Sequence, residues 1–492
     1  MKQLRKRKIL IVLISVLVLS LIAGAVTLLI LHRREQVLEQ QQDAALQELY
    51  DNRGKYDEQS IVLTNTTKSR AEALAEAFGA TLRITEDGSF ATLTLPEGVS
   101  VFDIYEDEAN RKHIEHLSLD YHASVQDLGI SEEMGGLRLP MRPQSAPADT
   151  GYAQQTYLDY LNMQNVWGRT QGAGVTVAVI DTGIDTDHSE FAGRISEFSY
   201  NATEDKIVKD WLQEDGSYDW SLIEDEQGHG TAVAGVIAAS VDGDGVVGIA
   251  PKVNLIVIKA ECNENGTFKR TSDLVFALYY AIERDVSVVN MSFGTIGNNP
   301  FAEPARLAVD SDILCLAAAG NESSAAPTYP AADENVFGIG SLADNSWALA
   351  DYSNYGENVD FVAPGTVYTT LMGGGYGYMN GTSFACPVSA GVMALYASQN
   401  RYADFKTTAE LLYASCYDLG DLGPDRYYGY GALDVSALLL EKRGTVTFNM
   451  MTDELENTAQ VFIRNHTLQN IPQPERLYAI FDGWYYDPQC TE

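Results

Sequence analysis

Apolar positions fall along the 492-residue chain in blocks with different periods. From Ile9 to Leu31 the run is uncharged and dominated by Leu, Ile and Val, long enough to cross a bilayer core of roughly 30 Å as a helix. Lys2, Arg5, Lys6, Arg7 and Lys8 precede it and only Arg33 and Arg34 follow closely, which puts the N-terminus in the cytoplasm and the bulk of the chain outside. Ala23-Gly24-Ala25 offers the cleavage site of a signal peptide, but the apolar run continues beyond it through VTLLIL, which favours an anchor. Residues 1–34 are thus expected to be tail and signal-anchor. Residues 35–58, rich in Gln and Glu, read as a spacer.

Over residues 59–122 the period changes twice. IVLT at 61–64 reads as a strand, SRAEALAEAFG at 69–79 as an amphipathic helix with a Gly stop, and TLRI and FATLTL as two strands around the turn at Asp87-Gly88. A second helix over about 99–114 and a last strand in HLSLDY complete a β-α-β-β-α-β order, the ferredoxin-like arrangement. Residues 123–150 carry Pro, Gly and Ser without periodicity and read as a linker. From 151 to 440 short apolar runs alternate with helical ones. VTVAVID, LIVIKA, VSVVNMS, ILCLAAAGN, VFGIGS and VDFVAPG each predict a strand buried on both faces, and TAVAGVIAAS and SDLVFALYYAIERD predict helices between them. This predicts a three-layer α/β domain with a mainly parallel sheet, whose site belongs at the carboxyl ends of the strands.

Charge narrows the partners. Lys and Arg number 33 against 68 Asp and Glu, a formal net charge of -35, which opposes nucleic acid and anionic lipid over most of the surface. The five cysteines are odd in number and far apart, so buried free thiols are expected rather than a disulfide framework.

Three polar residues stand at element ends. Asp181 closes VTVAVID, His229 stands in GHGTAVAGV at a helix start, and Ser383 opens the small-residue helix of NGTSFACPVSAGV. A Ser hydroxyl attacks only when a base takes its proton, and the base needs a carboxylate to fix its tautomer and offset its developing charge. Taken singly, each has a bland reading as a cap, a core histidine or a turn residue. Asn321, ending LAAAGN, is a candidate to hold the oxyanion with the backbone N–H of Ser383. His188, in the polar run DTDHSE, reads as exposed, and the pair His113 and His116 as an exposed helix end. Asp-Thr-Gly occurs at 149–151 and 181–183, but a carboxylate dyad needs two equivalent buried strand ends. The first copy follows a polar linker with no apolar strand before it.

The series VAVIDTGID, GHGTAVAGVIA, GIAP, SFG, AAAGN, FVAPG, GTSFACP and YGYGALD resembles, in order, the motifs of the subtilisin-like serine proteases. The resemblance implies a serine endopeptidase needing no catalytic cofactor, with Asp181 orienting His229, His229 the general base, Ser383 the nucleophile and Asn321 the oxyanion donor. Ser292, Phe293 and Gly294 would pair with an extended peptide, and Ala319, Gly320 and Thr328 would line the main specificity pocket. The uncharged Thr328 leads us to expect an apolar or aromatic residue before the scissile bond. The β-α-β-β-α-β segment resembles that family's propeptide, which would aid folding, block the cleft and be removed by a cut within the linker. SVDGDGVVGIAP resembles a calcium loop of some members, with Glu190 where they have Asp, an oxygen from Asp242 and carbonyls of Ser240, Asp244 and Val246. Cys386 reads as a packing residue. Within 444–492, GTVTFNM, LQNIPQPER and FDGWYYDPQCT resemble the wall-associated repeat of listerial internalins, which normally continues into another strand, so that either the module is incomplete or the sequence is a fragment; the resemblance implies cell-wall association. The expected protein is membrane-anchored at a bacterial cell surface, or secreted after self-cleavage. The alternative from another class is an adhesin that uses an inert α/β domain as scaffold.

Overall fold

The computed structural model describes residues 43–110, 117–125 and 147–440 apart from Asn345 and Tyr402, three single positions at 33, 37 and 113, and the backbone of two strands beyond 442. The expected membrane-spanning run lies outside the described residues. Among the described residues no helix is long and apolar enough to cross a membrane. The chain divides into two compact units, residues 1–121 and 122–492.

In the first unit, strand β1 (Tyr56–Thr64), helix α1 (Lys68–Phe78), β2 (Thr81–Ile84), β3 (Phe90–Thr94), α2 (Val101–Glu106) and β4 (Ser118–Tyr121) follow the expected order. They form a four-stranded sheet, β2-β3-β1-β4, antiparallel throughout. Thr67 caps α1 by accepting from the Arg70 N–H, and Gly79 ends it in the left-handed conformation (φ 63). A capping box between Ser100 and Asp103 starts α2. Leu74, Phe78, Ile104 and Tyr105 pack on Ile61, Leu63 and Leu93. Leu49, from the segment read as a spacer, is fully buried in the same core.

In the second unit the short strand β5 (Ala123–Val125) comes first. The main sheet then takes β6 (Thr176–Asp181), β7 (Tyr200–Asn201), β8 (Lys206–Ile207) and β9 (Asn254–Lys259). After β10 (Thr267–Phe268), which joins β5, it takes β11 (Val288–Met291). After β12 (Phe293–Gly294) it takes β13 (Leu314–Ala318), β14 (Phe337–Leu342) and β15 (Phe361–Pro364). The order is β15-β14-β13-β11-β6-β9-β7-β8, parallel except at the β7–β8 edge. All six runs predicted as doubly buried strands are strands of this sheet.

Successive side chains of a strand face opposite ways. Val177 and Val179 of β6 join a core with Val233 and Val236 of helix α3 (His229–Ala238), while Ala178 and Ile180 are equally buried but outside that core. Helices α4 (Thr271–Glu283) and α5 (Ala302–Asp310) contact β6 and β13 respectively. Helix α6 (Thr382–Gln399) enters the same core as α3 through Val388, Val392 and Leu395, and α7 (Phe405–Ser415) adds Leu411 and Leu412. The sequence reading missed the short strands β5, β7, β8 and β10 and the hairpin of β16 (Thr366–Leu371) and β17 (Gly375–Asn380). Beyond residue 442 the strands β18 (Arg443–Phe448) and β19 (Thr458–Ile463) pair antiparallel; the other residues of the repeat-like segment lie outside the described residues.

Candidate active site

Asp181 ends β6 at the carboxyl edge of the sheet and His229 begins α3. The His229 Nδ1 donates to Asp181 Oδ1 at 2.7 Å with both side chains fully buried. A carboxylate on Nδ1 fixes the tautomer that leaves Nε2 as the basic nitrogen. Helix and strand can approach this closely because residue 230 is Gly. A Cβ there would collide with the Gly183 carbonyl and crowd Asp181. Asp225, itself buried, gathers the helix start. Its Oδ1 accepts the N–H groups of Gln227 and Gly228, and its Oδ2 accepts the N–H and hydroxyl of Thr231. Thr182 links the two ends, donating its hydroxyl to Asp225 and accepting the Gly230 N–H.

Ser383 is the second residue of α6, whose neighbour Phe384 packs its ring 5.6 Å from that of His229. Pro387 sits in the second turn of this helix and has no N–H to give to the carbonyl four residues back, that of Ser383. Ser292 fills the gap: its hydroxyl donates to the Ser383 carbonyl at 2.8 Å, and the Ser383 hydroxyl donates to the Ser292 carbonyl at 2.9 Å. Asn290 Nδ2 in turn donates to Ser292 Oγ. Asn321 is held by one end only. Its amide oxygen accepts the N–H and the hydroxyl of Thr382, each at 3.0 Å, while its Nδ2 has no hydrogen-bond partner among the described residues. A buried donor fixed at its far end and left without an acceptor is what stabilising a transient oxyanion requires.

Ser292, Phe293 and Gly294 run along the cleft wall, where β12 carries a partner already. Strand β5 lies between β10 and β12, antiparallel to both, with Val125 opposite Phe293 and Ser124 opposite Gly294. Thr295 donates to the His122 carbonyl and the ring of His122 bonds the Lys269 carbonyl. Thr295 and Tyr329 exchange backbone hydrogen bonds at 2.8 Å, which sets Thr328 beside the same wall. Asn354 Nδ2 joins the pocket group, reaching the Ala319 carbonyl, Thr328 Oγ1 and Glu322 Oε2. Glu322 thus brings a carboxylate to the neutral set Ala319, Gly320 and Thr328.

The residues of the expected calcium loop hold one another by hydrogen bonds. Glu190 turns inward, its Oε1 accepting the Val246 N–H and the Tyr376 hydroxyl and its Oε2 the Ser240 N–H. Asp149 Oδ1 accepts the N–H groups of Asp242 and Gly243, and Asp244 Oδ1 those of Gly245 and the Thr150 hydroxyl. Among the described residues no group of three His, Cys, Asp or Glu side chains could hold a metal ion. The Glu190 side chain is long enough for its carboxylate to reach these backbone donors of the loop. Burial pushes its carboxyl up to about 7, against the pull of those donors.

His188 is buried, not exposed. Its Nδ1 accepts the Glu190 N–H and its ring packs on Phe191 and Tyr376. Cys386 is fully buried and burial pushes its thiol up to about 12, so it stays protonated and is no second nucleophile. Cys315 and Cys416 are buried free thiols and Cys262 is half-buried. His113 packs against Phe78; His116 lies outside the described residues.

The profile of the subtilase family, Peptidase S8, matches residues 172–431, which hold Asp181, His229, Asn321 and Ser383. The chain belongs to the subtilase family. This subtilase is 38% identical over 236 residues to an intracellular serine protease of Paenibacillus polymyxa, covering 47% of this chain and 68% of the relative. It is 32% identical over 289 residues to the minor extracellular protease Epr of Bacillus subtilis, covering 58% of this chain and 41% of the relative. Its fold is similar to that of fervidolysin from Fervidobacterium pennivorans, a keratinolytic enzyme related to subtilisin, with a TM-score of 0.66 at 22% identity over 80% of this chain and 63% of that one. The subtilase is a serine endopeptidase.

Proposed function

We propose that Asp181, His229 and Ser383 act as a catalytic triad and Asn321 as oxyanion donor, in an endopeptidase that cuts extended peptides and processes its own precursor. The observation that carries this reading is the buried 2.7 Å bond from His229 to Asp181, beside a helix start that presents Ser383 next to an amide group with no partner. His229 takes the Ser383 proton as the hydroxyl adds to the peptide carbonyl, then hands it to the leaving amine. The acyl-enzyme is released by water through the same base. Subtracting the hydroxyl from a domain with these four residues would leave an inert scaffold, the adhesin alternative, which gives no reason for an unpartnered amide at Asn321.

Residues 59–122 serve as a propeptide, and strand β5 supports the inhibitor role because it fills the edge of β12 on which a substrate would pair. The run Ile9–Leu31 with its basic flank supports a membrane anchor with the protease outside; relatives carry both intracellular and extracellular names. Wall association through 444–492 rests on the repeat-like motifs. The test is hydrolysis of an extended fluorogenic peptide by the purified, processed chain. Activity lost in Ser383→Ala and in His229→Ala is expected; activity retained in either correctly folded variant refutes the assignment.

A further inference from the structure

Away from the catalytic residues, the turn that follows β14 carries a row of aromatic rings. Leu342 and Leu349 form an antiparallel bridge, the Ala343 N–H donates to the Ala348 carbonyl at 2.9 Å, and the Ser346 hydroxyl accepts the Ala348 N–H at 3.0 Å. This tight turn lifts Trp347 to its tip, where the residue is 49% exposed. The Trp347 ring centroid lies 4.8 Å from that of Tyr160 and 5.1 Å from that of Tyr417, itself 51% exposed. Tyr417 is fixed from behind, exchanging backbone hydrogen bonds with Ala432 at 2.8 and 2.9 Å. A contiguous patch of large rings held half in water, unlike a lone apolar side chain, marks a binding surface.

Carboxylates flank the row. Asp344 and Tyr160 line one cleft of about 300 Å³, counted with its open mouth. Burial, then the Tyr368 hydroxyl and the Asp344 carboxylate, push the Tyr378 hydroxyl up, and burial followed by the Asp434 carboxylate does the same to Tyr160. Next to Tyr417, Asp418 Oδ2 accepts the Gly423 N–H while its Oδ1 has no hydrogen-bond partner among the described residues. Aromatic faces attract cations, the more so where water is partly excluded. The protein uses this attraction elsewhere: the Arg426 guanidinium stands 5.1 Å over Tyr355 and 5.6 Å over Tyr427, and the Lys206 ammonium 4.3 Å over Trp211. Among the described residues no Lys or Arg stands over Tyr160, Trp347 or Tyr417. With 68 acidic against 33 basic side chains the chain draws basic partners and repels acidic ones. A neutral glycan could stack on the same rings, but it would gain nothing from the carboxylate charges.

The cleft is also lined by Pro364, Gly365 and Thr366 at the end of β15, so it opens at the carboxyl edge of the sheet, where β6 ends in Asp181. The Gly365 carbonyl accepts the N–H of Gly381, two residues before Ser383. In the sheet order β14 and β15 stand three and four strands from β6, about 14–19 Å at the usual spacing, which an extended peptide covers in about four to six residues.

Resting on the endopeptidase reading above, we propose that the Tyr160, Trp347 and Tyr417 row with Asp344 is a second binding site outside the catalytic cleft, and that its ligand is an Arg- or Lys-bearing segment of a protein substrate. The rings take the guanidinium or ammonium over their faces and Asp344 offsets its charge, while the adjoining stretch of the same substrate runs extended toward Ser383.

The test uses the full-length Ser383→Ala chain, which lacks the nucleophile, and the fluorescence anisotropy of a dansyl-labelled peptide of alternating glycine and arginine. Saturable binding is expected, weakened about two- to fivefold by Trp347→Ala and by a similar factor in Asp344→Asn, which keeps the shape of the turn. Trp347→Ala removes a ring and no charge, so an unchanged affinity in that variant would reduce the binding to net charge and overturn the site. Citrulline in place of arginine keeps the shape and loses the charge; equal binding of both peptides overturns the cation assignment. A chitin oligosaccharide that binds and is lost in Trp347→Ala, with no binding of the basic peptide, overturns it in favour of a glycan platform. In the processed enzyme with Ser383 intact, Trp347→Ala should raise KM for a protein substrate carrying a basic segment by the same factor and leave kcat/KM for a short uncharged fluorogenic peptide unaltered, whereas an equal change in both overturns the substrate role of the site. Failure of the processed enzyme to cut either substrate would remove the endopeptidase reading instead and leave the binding result standing.

Discussion

Thr382 offers a sharp test of how the site is held. Its hydroxyl accepts the Gly320 N–H at 3.1 Å and donates to Asn321 Oδ1 at 3.0 Å, and the residue is fully buried. Thr382→Val keeps the shape and removes both bonds. The Gly320 N–H is left buried without its acceptor, a cost of about 1–3 kcal/mol, and the lost bond to Asn321 adds about 1 kcal/mol. The fold should therefore lose about 2–4 kcal/mol. Asn321 keeps the Thr382 N–H at 3.0 Å, so its amide is loosened rather than released, and kcat should fall about five- to thirtyfold, equivalent to 1–2 kcal/mol. KM should hardly move, since the interaction weakened is one made with the transition state. Thr382→Ser retains the hydroxyl and should restore most of kcat. The measurements are thermal unfolding of an uncut Ser383→Ala background and steady-state kinetics of the mature enzyme. A Thr382→Val enzyme with native kcat would refute the claim that Thr382 positions the oxyanion donor.

Three further outcomes follow from the same geometry. Asp181→Asn leaves His229 without its carboxylate and should cost about four orders of magnitude in kcat with KM little changed. Glu190 has its carboxyl raised from 4.5 to about 7 by burial, so the folded chain holds a proton there that the unfolded chain has lost, and this group's contribution to stability falls as pH rises between those values. Glu190→Gln should flatten that part of the Tm–pH curve, and an unaltered slope counts against the buried carboxyl. A Ca²⁺ ion bound at about a hundred times its Kd would add about 2.7 kcal/mol of stability; because the loop's N–H groups are turned onto Glu190 and Asp149, added Ca²⁺ or a chelator should leave Tm unchanged.

The parts legible in the sequence are those whose signal is local. VTVAVID and LIVIKA announce buried parallel strands because most of their positions, on both faces, are apolar, and the residues that end them fall at the sheet's carboxyl edge, where Asp181 meets His229. The hairpin β16–β17 was hidden because GGGYGYMN alternates Gly and Tyr and offers neither period. Strand β5 has three residues and exists through its two partner strands, which come more than 140 positions later, near 267 and 293. Asp225 and Thr182 act through backbone donors and each other across the fold, and Thr382 reaches Asn321 over 61 positions, so no motif spacing could reveal them. His188 was misread because its polar neighbours hid the aromatic rings that cover it. The hydrogen bonds that Glu190 takes from the N–H groups of Ser240 and Val246 were not legible, because a gapless match to a loop says nothing about which way the loop's N–H groups point.

The central claim is that burial beside Asp181 makes His229 a base for Ser383. Its most direct measurement is the rate at which a fluorophosphonate labels the full chain, with peptide mapping of the adduct, compared with Ser383→Ala and Asp181→Asn. Stoichiometric labelling on Ser383, absent in the first variant and slowed by orders of magnitude in the second, is the predicted result. Labelling elsewhere, or a native rate in Asp181→Asn, would contradict it.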